Sequence, residues 1–284
     1  MNQSIDFEKS HFIKNIWNKK AQLYRRPDNW NFDLDLNEIS SITLEEESIS
    51  RLIKIPDNNL HNLEYTQGPF NEEELTSLSP NIPWSIMVQN LEQYLPDLNV
   101  IKDKFNFIPE DLREDIMGVI CGPNGSTGPH IDQYSVFIIP ISGKKTWSLE
   151  SKINSVEEFN NRLIPHDDLK ILRNFKSNTT FTIGLDEFLY IPPGLAHHAV
   201  SDELSLSLSY GVKTPRVQII LDVLYTKVIE RIHEDERLKV SLNKDGILNF
   251  KEINEVSRLL EVLLNQNNMN IDEVIKEARL WEGY

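Results

Sequence analysis

Residues 128–149 read GPHIDQYSVFIIPISGKKTWSL, and their rhythm decides the fold. Residues 130–141 alternate and then turn apolar, residues 142–144 (Ser-Gly-Lys) have turn chemistry, and residues 145–149 read as a further strand. Successive strand residues face opposite sides of a sheet and glycine supplies the turn, so this is a pair of short strands with a tight connection. Working outward, residues 115–121 form a short apolar run that suits a buried strand, and residues 122–129 form a Gly/Pro/Ser/Thr-rich loop. Downstream, residues 181–183 and 188–191 are strands separated by the turn at 184–187. Leu204, Leu206 and Leu208 then alternate with Ser205, Ser207 and Ser209 at period two. Short strands broken by turns predict a β-barrel or sandwich.

The flanks read differently. Residues 6–21 look helical, and residues 40–55 look partly helical, with Glu45, Glu46 and Glu47 near a helix start. Residues 64–70 are extended and end in a turn, after which Asn71 offers an N-cap to the acids of residues 72–74. Ile86, Met87, Asn90 and Leu91 have spacings that predict a helix over 84–94. After Pro215 the pattern is helical: Val217, Ile220, Leu224 and Val228 share a face that Ile219, Val223 and Ile232 widen. Two more helices follow around residues 256–263 and 271–278. The predicted organisation is a domain over 1–214, with its barrel core at about 114–214, and a helical module over 215–284. The apolar faces of that module could join two copies as a homodimer.

The formal net charge of −15 argues against a nucleic-acid binder, which needs a basic surface to neutralise phosphates. It suits attraction of a basic peptide or protein, although most of the acids are read as solvated faces. No apolar run reaches the roughly 18 residues of a membrane span, and residues 1–20 lack the apolar core of a signal peptide. Cys121 is the only cysteine, which excludes an intrachain disulfide and points to the reducing cytoplasm.

His130-Ile131-Asp132 carries the chemistry. On a strand, residues i and i+2 face the same way and can grip one ion. A third ligand must come from elsewhere, and residues 192–197 (Pro-Pro-Gly-Leu-Ala-His) follow one strand and begin another. Two imidazoles and a carboxylate make the facial triad of non-haem Fe(II) oxygenases, which leaves open positions for a co-substrate and dioxygen. Alone, a His-x-Asp pair is a weak signal. His198 adjoins His197, and neighbours on a strand point to opposite faces, so only one of the two can complete the set. Lys145 follows the 142–144 turn, where a buried cation could pair with the distal carboxylate of 2-oxoglutarate; Lys144, of opposite parity, then faces out.

Together, Gly128-Pro129-His130-Ile131-Asp132-Gln133-Tyr134, Val136-Phe137-Ile138-Ile139, Gly143-Lys144-Lys145-x-Trp147 and Tyr190-Ile191-Pro192-Pro193-Gly194-x-x-His197 resemble the JmjC-type ribosomal oxygenases of the cupin-4 group. So do Gly68-Pro69-Phe70 and Trp84-Ser85-x-x-Val88-Gln89 upstream. The similarity covers about residues 15–215. It implies a mainly β fold with α, a double-stranded β-helix (jelly-roll, cupin) core with N-terminal helices and a C-terminal helical module. It also implies Fe(II) at His130, Asp132 and His197, selecting His197 over His198, and 2-oxoglutarate held by Lys145. Bacterial members that hydroxylate arginine carry arginine at that last place; lysine keeps the cation without the bidentate fork. Ser207 and Ser209 match positions that line the co-substrate pocket, and Gln133 and Tyr134, which follow the metal ligands, are candidates for the wall of the substrate pocket. The implied activity is hydroxylation of a protein or peptide side chain, an arginine of a ribosomal protein first among them. Competing readings are the same chemistry on a ribosomally made peptide precursor, a free amino acid or another small molecule, and a non-enzymatic metal-binding cupin. An intact triad with Lys145 argues against the last, because a binding module needs neither. Two departures stand out. Ser135 replaces an acid of the bacterial members, which bears on substrate contacts, and the roughly 70 residues after Pro215 are too few for the family's winged-helix domain.

Overall fold

In a computed structural model, the structure describes residues 4–28, 30, 32–150, 153, 155–213 and 221–226. The chain divides into two compact units, Met1–Lys213 and Thr214–Tyr284. Among its described residues the first contains eleven strands: β1 (Gln22–Arg25), β2 (Ser50–Lys54), β3 (Glu64–Gln67), β4 (Trp84–Val88), β5 (Arg113–Cys121), β6 (Ser135–Ser142), β7 (Lys145–Leu149), β8 (Thr179–Ile183), β9 (Glu187–Ile191), β10 (His197–Ser201) and β11 (Ser205–Val212). They form an eight-stranded sheet in the order β1-β9-β6-β11-β5-β4-β2-β3 and a three-stranded sheet in the order β10-β7-β8. Every pairing is antiparallel. Two facing antiparallel sheets of this kind are a jelly-roll core.

Residue alternation explains how the sheets meet. On β6, Val136 and Ile138 join Leu189 and Ile191 of β9 against Trp147, Leu149, Phe181 and Ile183 of the smaller sheet. The intervening Phe137 and Ile139 point to the other side, into a cluster with Phe12, Tyr24, Phe105, Phe188 and Tyr190. Ring centroids there approach to 4.1 Å for Phe105–Phe137 and 4.9 Å for Phe12–Tyr190, distances at which aromatic pairs add to simple burial. Because both faces of β6 are covered, residues 136–139 read as a continuous apolar run rather than a clean alternation. At the β6–β7 turn, Gly143 has φ +68°, and a Cβ there would meet Leu204 O at 2.5 Å. Only glycine fits, and the turn delivers Lys145 into the interior while Lys144 stays exposed.

Three local expectations change. Trp84–Val88 is a strand, with a short helix only at Leu91–Tyr94. The apolar spacing of residues 86–91 comes from a strand buried on both faces, which hides period two. Within 40–55, helix Leu36–Ile42 ends early and Ser50–Lys54 is β2. Within 6–21, the helical part is Lys9–His11 running into the wider turn Phe12–Ile16. By contrast, Asn71 caps helix Glu72–Thr76 through a reciprocal capping box with Glu74.

Residues 221–226 are helical. The rest of the expected helix over 217–232, the two expected helices around 256–263 and 271–278, and the dimer face built on them lie outside the described residues. Among the described residues, no helix is long and apolar enough to cross a membrane.

Candidate metal centre

His130 sits just ahead of β6 rather than on a strand, and meets His197 of β10 in an isolated antiparallel bridge. Both bridge bonds form: His130 N–H donates to His197 O at 3.0 Å and His197 N–H donates to His130 O at 2.9 Å. This backbone pair, not strand parity, juxtaposes the imidazoles, whose ring centroids are 4.4 Å apart. Asp132 lies in the segment leading into β6, fixed by Gly194 N–H donating to its carbonyl at 2.8 Å. The 192–194 turn thereby locks the Asp132 backbone as well as starting the strand of His197.

One potential ligand atom from each of His130, Asp132 and His197 lies within 4.8 Å of the others. His130 Nε2 is 3.8 Å and His197 Nε2 is 3.5 Å from the Asp132 carboxylate. Ligands bound at about 2.1 Å and at right angles stand about 3 Å apart, so small side-chain rotations would seat an ion. The tautomers also fit. His130 Nδ1 is 2.8 Å from Gly128 O and His197 Nδ1 is 2.9 Å from Leu195 O. A carbonyl only accepts, so each Nδ1 carries a proton, which leaves Nε2 as the nitrogen that can bind an ion at the centre. Burial, then the neighbouring His130, pushes the His197 imidazole down to about 4, which keeps it neutral at pH 7. A carboxylate facing two bare nitrogens repels them unless a cation lies between, and this donor set suits Fe(II).

His198 is directed elsewhere. Its Nε2 is 2.9 Å from Ser126 Oγ, and its ring meets Phe175 edge-on. Ser126 Oγ also accepts from Gly128 N–H at 2.9 Å. The linkage His198–Ser126–Gly128–His130 thus braces one imidazole of the centre through the loop in front of it. Burial, then His130, lowers His198 to about 4.

The three residues open on a cavity of about 230 Å³. Lys145 lines it and is only 6% exposed. Its ammonium donates to Ser207 Oγ at 2.9 Å and to Val119 O at 3.3 Å, and none of the ion pairs among the described residues includes it. Ser207 and Ser209 line the same wall, and Tyr134 lines it from the segment before β6. Gln133 is exposed and outside the lining. Ser135 is buried away from the cavity, with its hydroxyl 3.0 Å from Tyr190 Oη, so its departure from the family pattern changes the core and not the cavity wall.

Residues 100–220 match the JmjC domain. Over 214 residues the chain is 28% identical to the probable ribosomal oxygenase of Haemophilus influenzae, covering 74% of this chain and 51% of that protein. Over 221 residues it is 26% identical to the ribosomal protein uL16 3-hydroxylase of Escherichia coli, covering 78% and 56%. It therefore spans a little over half the length of these relatives. Among solved structures, E. coli YcfD superposes with a TM-score of 0.73 at 23% identity, over 94% of this chain and 70% of that one. A second YcfD structure, described as a ribosomal oxygenase in complex with cobalt and 2-oxoglutarate, gives 0.71 at 22% identity, over 93% and 68%. These likenesses show the JmjC, cupin-type fold for this chain.

Some cavity residues escape a reading of the sequence. Arg51 on β2 lines the cavity, and so do residues 168–171. A basic residue beside Leu52 and Ile53 was the available signal for the first. The second had none, because 168–171 belongs to an irregular strap whose path only tertiary contacts define.

Proposed function

We propose that this chain is an Fe(II)- and 2-oxoglutarate-dependent oxygenase that hydroxylates a side chain of a ribosomal protein, arginine being the leading target. The observation that carries the reading is a single cavity holding three convergent ligand atoms at one place and the unpaired Lys145 ammonium at another. When bound, Fe(II) with 2-oxoglutarate and dioxygen converts C–H to C–OH and releases succinate and carbon dioxide.

The chain's own residues supply placement. His130, Asp132 and His197 would hold the metal where they meet at the cavity. Lys145, backed by Ser207, takes the distal carboxylate of 2-oxoglutarate as a charge-assisted hydrogen bond. Ser209 and Tyr134 shape the remaining wall. Val136, Ile138 and Trp147 line the cavity with apolar surface that excludes bulk water from a reactive centre. The acidic chain favours encounter with a basic ribosomal protein, and the two relatives, a probable ribosomal oxygenase and a ribosomal protein uL16 3-hydroxylase, support a target of that class.

The test is succinate formation from 2-oxoglutarate with Fe(II), with and without ribosomal protein, together with mass spectrometry for the gain of one oxygen atom. Turnover that needs Fe(II), rises with ribosomal protein and disappears in His130→Ala is expected. An inactive protein that also binds neither Mn(II) nor 2-oxoglutarate would sink the reading.

A further inference from the structure

Arg51 is a second cation in the cavity, and nothing in the chemistry above uses it. Alternation on β2 sends Leu52 into the outer cluster and sets Arg51 and Ile53 along the cavity. The registers align one cross-strand row: Gln67, Arg51, Met87, Val119 and Ser207. Lys145 reaches the far end of that row, at Ser207. Three strand spacings separate Arg51 from Ser207, roughly 14 Å of sheet. Their charged ends lie closer than the backbones, since Arg51 Nη2 reaches Met117 and Lys145 Nζ reaches Val119, two residues apart on β5, so the two cations face one cavity from opposite ends of the row.

The Arg51 guanidinium is poorly compensated. Among the described residues, its Nη2 hydrogen-bonds the soft Met117 Sδ at 3.7 Å, and its Nε is buried with no hydrogen-bond partner. None of the ion pairs among the described residues includes it. A half-buried guanidinium with unmet donors is costly unless something from outside accepts from it. On the oxygenase reading both carboxylates of 2-oxoglutarate are already engaged, one at the metal and the other by Lys145, which leaves the prime substrate to supply the acceptor for Arg51.

We infer that Arg51 seats the prime substrate by donating to one of its acceptor oxygens, a main-chain carbonyl or a carboxylate. This rests on the oxygenase reading of the cavity. The planar fork of arginine can span both oxygens of a carboxylate or hold a single carbonyl oxygen from a fixed direction, which a point charge does not do. Arg51 is in this sense a positioning residue: it holds the substrate backbone while the target carbon faces the metal.

The experiment is calorimetric titration of protein loaded with Mn(II), without dioxygen, so that nothing turns over. 2-Oxoglutarate is added first, then N-acetylarginine (free carboxylate) or N-acetylarginine methylamide (carbonyl only). In Arg51→Met, affinity for one or both probes falls by roughly tenfold to a hundredfold, the range of one charge-assisted hydrogen bond. A loss confined to N-acetylarginine identifies a carboxylate as the group read; a loss for both identifies the carbonyl. Arg51→Lys recovers part of the affinity, and 2-oxoglutarate affinity stays within twofold in both variants, which also shows that they fold. Unchanged probe binding in Arg51→Met overturns the inference, as does failure of both probes to bind the wild type. A parallel loss of 2-oxoglutarate would assign Arg51 to the co-substrate and overturn it too. Failure of the wild type to bind 2-oxoglutarate at all removes the oxygenase reading itself, a different result seen before any probe is added.

Discussion

At single residues, His197 and His198 differ through what their second nitrogens and backbones meet. His197 is bridged to His130 and turns Nε2 to Asp132, whereas His198 turns Nε2 to Ser126. His197→Ala is expected to abolish stoichiometric Mn(II) or Fe(II) binding, measured by metal analysis after desalting. His198→Ala is expected to weaken it by about tenfold, the mild end of outer-shell substitutions. Retained metal in the first variant and complete loss in the second would reverse the roles. His130 and Asp132 were legible in the sequence because they are two residues apart beside a glycine-proline turn. The geometry that joins them to His197 was not, because it is a backbone bridge between segments remote in the chain. Arg51 was hidden for a related reason: which face of β2 looks into the cavity depends on partners that no local pattern specifies.

Among the elements, the strap between β7 and β8 has its own fastening. Arg162 donates to both oxygens of Glu150 at 2.8 Å, and Lys176 N–H donates to the same carboxylate at 3.0 Å. Arg173 Nε–H donates to Leu163 O at 2.9 Å, and Leu172 N–H ties the strap to Pro129 O at 2.8 Å, next to His130. Burial works to raise the Glu150 carboxyl, but the Arg162 and Lys176 bonds outweigh it, so its folded pKa lies below 4.5. A depressed carboxyl stabilises fully above its unfolded value and loses that stabilisation as pH falls through the folded one. Amides of residues 162–176 should therefore exchange faster as pH drops below about 4.5, after correction for intrinsic rates, with about 1 kcal/mol at stake for a partly exposed pair. Glu150→Gln should show fast exchange already at neutral pH; protection identical to wild type would refute the role. Hairpins such as β6–β7 could be read from sequence because glycine marks the turn. β4 could not, since burial on both faces removes the period-two signal and leaves spacings that mimic a helix.

For the whole of the first unit, the candidate centre joins the two sheets: His197 begins β10 of the smaller one, and His130 and Asp132 lead into β6 of the larger. A ligand that binds only the folded chain stabilises it by about 2.7 kcal/mol at a hundred times its dissociation constant. For a domain of this size that corresponds to a rise of roughly 5–10 °C in Tm. Mn(II) with 2-oxoglutarate should produce such a rise, a chelator should reverse it, and Asp132→Ala should lack it; an equal rise in Asp132→Ala would place the ion elsewhere. The bridge between His130 and His197 also fixes when the protein can acquire iron. A nascent chain that has emerged only as far as β9 owns two of the three donors and has no use for them. On the proposed function, metallation is thus a late step of biogenesis, open only once the segment carrying His197 has been made and has paired with His130.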